Sequence, residues 1–298
     1  MNALIKLKHI KLLVILMGAV LFTLPRCALS ATNVRLMGKE KVARSDFAKR
    51  VGIDQTTLRW PLNRCPALFS AQTKGISRQY MDLVIICNAV KQANLADNIQ
   101  FVPGGNAQRQ KIELAKGKAD LLAHSTFKQS LSETIQPRAS SFLLTDPVVK
   151  QGQFFLGIYT SANQLGAVSQ ALSDNKLDTL IATTLTSWKI AAKTLQEMPI
   201  KSLHLLSKQD LIVPNLQRKR ANFTLYSLDK KRELKRVAGY KVALADERVF
   251  IVNKHQPELY KALQNYIVSL RAQGDLLTKA YKHSGFISDK YQHWTLIN

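Results

Sequence analysis

Hydrophobic and polar positions along the chain follow two periods in turn, and the switches between them mark a repeating order of strands and helices. Residues 108–126, QRQKIELAKGKADLLAHST, hold one complete unit. Ile112, Leu114 and Ala115 lie among good helix formers, and Gly117 stands where a helix end needs a residue free to adopt positive φ. Residues 119–123 are short and apolar enough for a strand covered on both faces. That strand is expected to leave its sheet through His124, Ser125 and Thr126. In open α/β sheets ligands bind beyond the carboxyl ends of the strands, which makes this polar exit the first place to look for a site.

The same pattern predicts a first strand at 56–60 ended by Pro61, a loop over 63–73, a helix over 78–93, a strand at 98–102 and a turn at Pro103-Gly104-Gly105. An order of this kind implies parallel pairing. Residues 32–55 are basic and weakly periodic and read as an N-terminal extension, with one helix near 45–50. After a polar segment over 127–141, a β-prone stretch at 154–159 precedes a restart of the pattern. Helices are expected over 163–172 and 187–197, with strands at 178–183, 202–206 and 222–227, as in a second lobe. Trp188, Ala191, Ala192 and Leu195 have the helical spacing of core packing. A strand at 249–252 and an amphipathic helix pair over 257–283, broken near Gly274, close the chain. Leu259, Leu263, Ile267 and Leu270 form the buried stripe of that pair.

With 298 residues, 46% of them apolar and 21% charged, the chain is longer than one ordinary domain needs, and two lobes are expected. Lys6, Lys8 and Lys11 precede an uncharged run over 12–24, and Ala28, Ser30 and Ala31 offer a cleavage site. Residues 1–31 therefore read as a Sec-type signal peptide, which implies a periplasmic protein. The run is short for a bilayer span, so none is expected after cleavage; an uncleaved anchor is the alternative. The segment carries Lys6, Lys8, Lys11 and Arg26 and no acid, so its removal lowers the formal charge from +23 to +19. Such a charge favours acidic partners: a small anion or the polyanions of an envelope. No zinc-ligand spacing, RNP-like motif or basic helix with heptads marks a specific nucleic-acid binder. Two cysteines remain, Cys65 and Cys87. In an oxidising compartment a pair is expected to be bridged, joining the loop after the first strand to the first long helix; the alternative is a buried thiol at Cys87.

Three stretches resemble the bacterial family 3 periplasmic solute-binding proteins, the type II periplasmic binding proteins that include amino-acid receptors of ABC transporters. Leu114-Ala115-Lys116-Gly117-Lys118-Ala119-Asp120 is similar to the family's L-x-x-G-k-x-D junction. Thr145-Asp146-Pro147-Val148 resembles its s-x-P-y approach to the crossover. Gln256-Pro257-Glu258-Leu259 through Leu270-Arg271-Ala272-Gln273-Gly274-Asp275 looks like its closing helices. The resemblance implies a two-lobed α/β fold, with lobe 1 from 56–153 plus 250–298 and lobe 2 from 154–249. Two crossing strands near 154–159 and 249–252 would be the hinge. It also implies a monomeric, non-enzymatic receptor without a cofactor, which hands a small solute to an inner-membrane ABC permease or reports it to a membrane sensor. Closure around the ligand would be the signal.

In this family an arginine after the strand exit clamps the ligand carboxylate. Here Ser125, Thr126, Phe127 and Lys128 come after the strand and no arginine appears before Arg138, so Lys128 stands as a partial substitute, a point charge in place of a two-point fork. On the second lobe Thr186 and Ser187 begin a helix after a strand, where free N–H groups favour an anion. The family's amine-binding aspartate falls near Ser227 or Asp229. Trp60 and Phe69 flank the exit of the expected first strand as candidate covers, and Arg64 is the nearest fixed cation. These eight residues, Trp60, Arg64, Phe69, Ser125, Thr126, Lys128, Thr186 and Ser187, are the expected ligand set. Two other readings differ in kind: an enzyme similar to cyclohexadienyl dehydratase, with His124 and Glu133 as candidate acid and base, and a basic protein that binds envelope polyanions.

Overall fold

The computed structural model describes residues 33–132, 141–228 and 233–298. The signal-peptide reading of 1–31, and Glu133, Arg138 and Asp229, lie outside them. In lobe 1 the chain forms β1 (Val34–Gly38), β2 (Arg59–Pro61), α1 (Arg78–Gln92), β3 (Asn98–Pro103), α2 (Ala107–Ala115), β4 (Leu121–Leu122), β5 (Thr126–Phe127) and β6 (Phe142–Leu144). In lobe 2 it forms β7 (Phe155–Thr160), α3 (Leu165–Ser173), β8 (Ile181–Leu185), α4 (Lys189–Glu197), β9 (Ser202–Leu206), α5 (Ile212–Gln217), β10 (Thr224–Ser227) and β11 (Lys235–Ala243). It returns through β12 (Arg248–Val249) to β13 (Ile251–Asn253), α6 (Pro257–Ala272) and α7 (Leu276–His283), and ends in β14 (Thr295–Leu296).

Lobe 1 is one sheet in the order β2-β3-β1-β4-β13-β6. β1 runs parallel to both β3 and β4, whereas β2 and β13 are antiparallel to their neighbours. Adjacent residues of a strand face opposite sides, and the two cores of the lobe divide accordingly. Leu36, Leu121 and Val252 pack with α1, α6 and α7, while Met37, Leu122 and Ile251 pack with Leu114 of α2. Covered on both faces, these strands carry adjacent apolar residues, Leu36-Met37, Leu121-Leu122 and Ile251-Val252.

The segment 32–55 is therefore not an extension. Its Val34-Arg35-Leu36-Met37-Gly38 is an inner strand of the sheet, flanked on either side, and Phe47 and Ala48 of the short helix Asp46–Arg50 are buried in the same core. Gly38 ends β1 where a Cβ would come within 2.9 Å of the Ala123 Cβ, so the two strand exits can approach only with glycine there. The expected first strand contracts to Arg59–Pro61 and becomes the edge.

The αβ unit over 108–126 folds as its pattern dictates. Gly117 has φ +76° and stops α2, and Asp120 is buried. Its carboxylate accepts from the Arg35 backbone N–H (2.7 Å), the Arg35 guanidinium (2.7 Å) and Gln256 (3.1 Å), tying β1 and the start of α6 to the foot of β4.

Lobe 2 holds a second sheet in the order β10-β7-β11-β14, with the parallel pair β8-β9 set beside it through a bridge between Ala182 and Phe223. Leu156, Ile158, Phe223 and Leu225 fill one side; Tyr159 and Tyr226 fill the other with Ile212 and Leu216. The two sheets are separate, as a two-lobed fold requires. The crossing lies elsewhere than expected: β7 is inside the lobe 2 sheet and β13 inside that of lobe 1. The strands meet between the lobes, where Val149 bridges Arg248 and β5 pairs antiparallel with β12. The C-terminus also departs from its assigned lobe. β14 pairs with β11 of lobe 2, and the Lys241 ammonium donates to the carbonyls of Tyr291 and Gln292, both at 2.9 Å. The bridge Cys65–Cys87 is formed, with Cα atoms 5.8 Å apart. No helix of the described residues is long and apolar enough to cross a membrane.

Candidate functional site

The carboxyl ends of the lobe 1 strands open onto a cleft of about 570 Å³. Lobe 1 supplies Gln108 and Lys111 of α2, Thr126 and Phe127 of β5 and Ser130; lobe 2 supplies Ser187, Trp188, Lys189 and Ile190 around the start of α4, and Leu225, Tyr226 and Ser227 of β10. The volume suits a small molecule.

Beneath it lies a buried polar network. Asp82 of α1, wholly inaccessible, accepts from Arg78 (2.5 Å), from the backbone N–H and hydroxyl of Ser125 (2.9 and 3.0 Å) and from the Tyr281 hydroxyl (2.6 Å). Arg248 of β12 donates to the Ser125 carbonyl at 2.6 Å and lies over the Phe127 ring, 4.2 Å from its centre. Burial, helped by the charge of Arg78, pushes the Arg248 pKa down to about 9. Burial likewise raises that of Tyr281, aided by Asp82. His124 sits in the same field: burial first, then Arg78, lowers its pKa to about 4, and the imidazole is neutral near pH 7.

The expected ligand residues divide into three groups. Thr126 and Ser187 line the cleft from opposite lobes. Ser125 lies beneath it, fully buried and holding Asp82 and the two arginines. Thr186 is next to Ser187 but turns its hydroxyl to the Leu206 carbonyl (3.2 Å), bracing β8 against β9. The rest are placed away from the cleft. Lys128, expected as a partial substitute for the family's arginine, does not line the cleft; it pairs with Glu247 at 2.8 Å, which raises its pKa. Trp60 is inaccessible, donates from its indole N–H to the Val51 carbonyl (3.1 Å) and stacks on Phe101, as a core residue. Arg64 packs its side chain against Gly52, and Phe69 sets its ring edge-on to His283, with centres 5.8 Å apart. The reason is strand direction: β2 runs antiparallel to β3, so the chain beyond Pro61 leaves at the amino ends of the parallel strands, opposite the cleft.

The cleft also holds residues outside the expected set. Lys111 lies three positions before Leu114, on the buried face of α2, where a lysine is an exception worth noticing. Phe127 comes directly after Thr126. Trp188, expected as core packing, both lines the cleft and meets Tyr226 edge-on at 5.3 Å. Ser227, one of the two positions at which the resemblance implies an amine-binding group, lines the cleft from the end of β10; the other, Asp229, is outside the described residues.

No family model matches the chain, and no curated protein matches it. Solved structures do. One is the ancestral amino-acid-binding protein AncCDT-1, a precursor of cyclohexadienyl dehydratase (12% identity, TM-score 0.46, 86% of this chain and 95% of that one). Another is the probable amino-acid ABC transporter extracellular-binding protein ytmK from Bacillus subtilis (15%, TM-score 0.46, 70% and 88%). A third is the amino acid ABC transporter substrate-binding protein AbpA from Streptococcus pneumoniae, bound to L-arginine (15%, TM-score 0.44, 72% and 86%). These likenesses, with TM-scores below 0.5, stand as resemblance alone. Two α/β lobes with separate sheets, paired crossing strands and a cleft at the strand exits make a two-lobed α/β fold, the architecture that the resemblance to type II periplasmic binding proteins implies.

Proposed function

We propose that the protein is a solute receptor that takes a small polar or anionic molecule into the interlobe cleft and presents the closed form to a membrane permease or sensor. One observation carries this reading: a cleft of small-molecule size is walled by side chains from both lobes, with Thr126 and Ser187 on opposite sides. A ligand touching both walls favours the closed state over the open one through contacts made only when shut. The crossing strands that join the lobes are short, and a change in a few residues there is enough for closure. A periplasmic location accords with the Cys65–Cys87 bridge and with the leader-like pattern of residues 1–31.

The described lining of the cleft carries no histidine or carboxylate, and His124, one candidate acid or base of a dehydratase, lies in the field of Arg78 beneath it; Glu133, the other, is outside the described residues. A thermal-shift screen against polar and anionic metabolites tests the proposal. A cognate solute at about 100 times its Kd adds about 2.7 kcal/mol to the folded state and raises Tm accordingly. A saturating screen with no shift, together with salt-sensitive binding to polyanions, would reject it in favour of an envelope-binding role.

A further inference from the structure

The chain passes between the lobes again after α7. That helix ends in lobe 1 at His283, the backbone turns at Gly285 (φ +78°), and Phe286 lodges at the boundary. Its ring stacks on Phe154, with centres 4.8 Å apart, and meets Tyr281 edge-on at 5.9 Å. Phe154 packs against the cores of both lobes, and the Tyr281 hydroxyl is bonded to Asp82 beneath the cleft. Lobe 1 holds this end of the segment by its backbone: the N–H groups of Phe286 and Ile287 donate to the Tyr281 carbonyl at 3.0 and 3.2 Å.

The other end is held by lobe 2. Tyr291 is buried and lies with Trp294 against the Arg236 guanidinium, which is 5.1 and 4.8 Å from the two ring centres and donates to the Tyr291 hydroxyl at 2.9 Å. The Asn298 amide bonds to both backbone groups of Ala243, each at 2.8 Å. β11 is shaped for this grip. Side chains five apart on a regular strand face opposite ways. Here the pairing with β7 is irregular between Arg236 and Lys241; Arg236 pairs with Tyr159 and Lys241 with Gly157, two positions apart, so both cations leave the same face. Lys241 is 7% exposed, and the carbonyls of Tyr291 and Gln292 take the place of water around its ammonium.

Between the two anchors, Phe286 and Tyr291, lie only residues 287–290, and the link runs into the short 3₁₀ turn Asp289–Tyr291. Such a turn advances about 2 Å per residue, against about 3.5 Å for an extended chain, so the link has little slack. On the hinge of the receptor reading, and without reference to any solute, we propose that residues 284–298 are a strap that holds the lobes together and limits how far the cleft opens. It fits the arrangement in which Lys193 of α4 reaches Gln129 of lobe 1 at 2.7 Å. Lobes that swing apart must first unwind the turn or free one anchor.

Small-angle X-ray scattering of the unliganded full chain, paired with hydrogen exchange, tests this. Two variants loosen the lobe 2 anchor. Lys241→Met removes the donor to both carbonyls. Trp294→Ala with Asn298→Ala alters only a half-buried and an exposed position, so it keeps the test alive if Lys241→Met misfolds. The radius of gyration should rise, while the amides of β1 and β7 keep their protection within about twofold. An unchanged radius of gyration in the double variant would overturn the proposal, and protection lost in β11 and β14 alone would then mark the tail as an edge strand of lobe 2. A rise accompanied by lost protection in β1 or β7 would overturn it as well, since the tail would then serve stability alone. The receptor reading is decided separately, by the metabolite screen on the unaltered protein.

Discussion

Arg78 and Arg248 both donate to the carbonyl oxygen of Ser125, at 3.1 and 2.6 Å, although one begins the first long helix and the other lies on the return crossing between the lobes. One carboxylate, Asp82, faces the two guanidiniums and bonds directly to that of Arg78. The strand exit that opens the cleft and the crossing that joins the lobes are thus fixed by the same buried network.

That arrangement makes Asp82 the residue the network can least do without. Asp82→Asn removes the carboxylate and sets an amide donor among donors, leaving Arg78 without its ion-pair partner and Arg248 with only the charge of Asp246 in support. The expected loss is about 3–5 kcal/mol, read as a lower denaturant midpoint. A loss below about 1 kcal/mol would show that the charge of Asp82 is not what holds Arg78 and Arg248 in place.

His124 gives the protein an acid-sensitive stability of known sign. Its pKa falls from 6.5 in the unfolded chain to about 4 in the fold, so between those values the unfolded state binds more protons than the folded one. Its contribution is complete above pH 6.5 and is lost as the pH falls through 4, on the order of 3 kcal/mol in all. Unfolding midpoints at pH 7 and near pH 4 should differ more in the native chain than in His124→Gln. Equal differences would place the acid sensitivity in the carboxylates instead.

The bridge between Cys65 and Cys87 closes a loop with a sequence separation of 22 and ties the turn after β2 to α1. The double variant Cys65→Ser, Cys87→Ser should lose about 3 kcal/mol, seen as a lower Tm, and keep its affinity for any cleft solute because neither position lines the cleft. Reduction without effect on Tm would mean that the bridge constrains little of the unfolded chain.

Local pattern makes some of this legible and direction hides the rest. Over 108–126 every local signal agrees, from the helix formers through Gly117 to the short apolar strand, and the fold agrees with them. β1 is not legible, because five residues of strand are embedded in a segment whose lysines and arginines set its average character; only the apolar run at Leu36 and Met37 betrays it. Trp60 and Arg64 look like cleft residues because they stand at the end of a strand, but that strand runs antiparallel to its neighbour, which no local pattern records. Phe69 is lost for a related reason, since it packs on His283 from a helix far along the chain. Lys128 looks free in the sequence, yet the return crossing brings Glu247 against it. Thr126 and Ser187 do line the cleft, and the sequence points to them because strand exits and helix starts are local features. Lys111 is visible only as a charge on the buried face of α2, a signal that gains meaning once the lobes are set opposite each other.

The central claim is that a solute lies between the lobes, and a crystal structure of the protein with the solute giving the largest thermal shift addresses it most directly. The account predicts density in contact with Lys111 and Thr126 on one side and with Ser187 on the other. An empty cleft with the solute held elsewhere, such as the cavity between Tyr240 and the C-terminal strand on lobe 2, would contradict it.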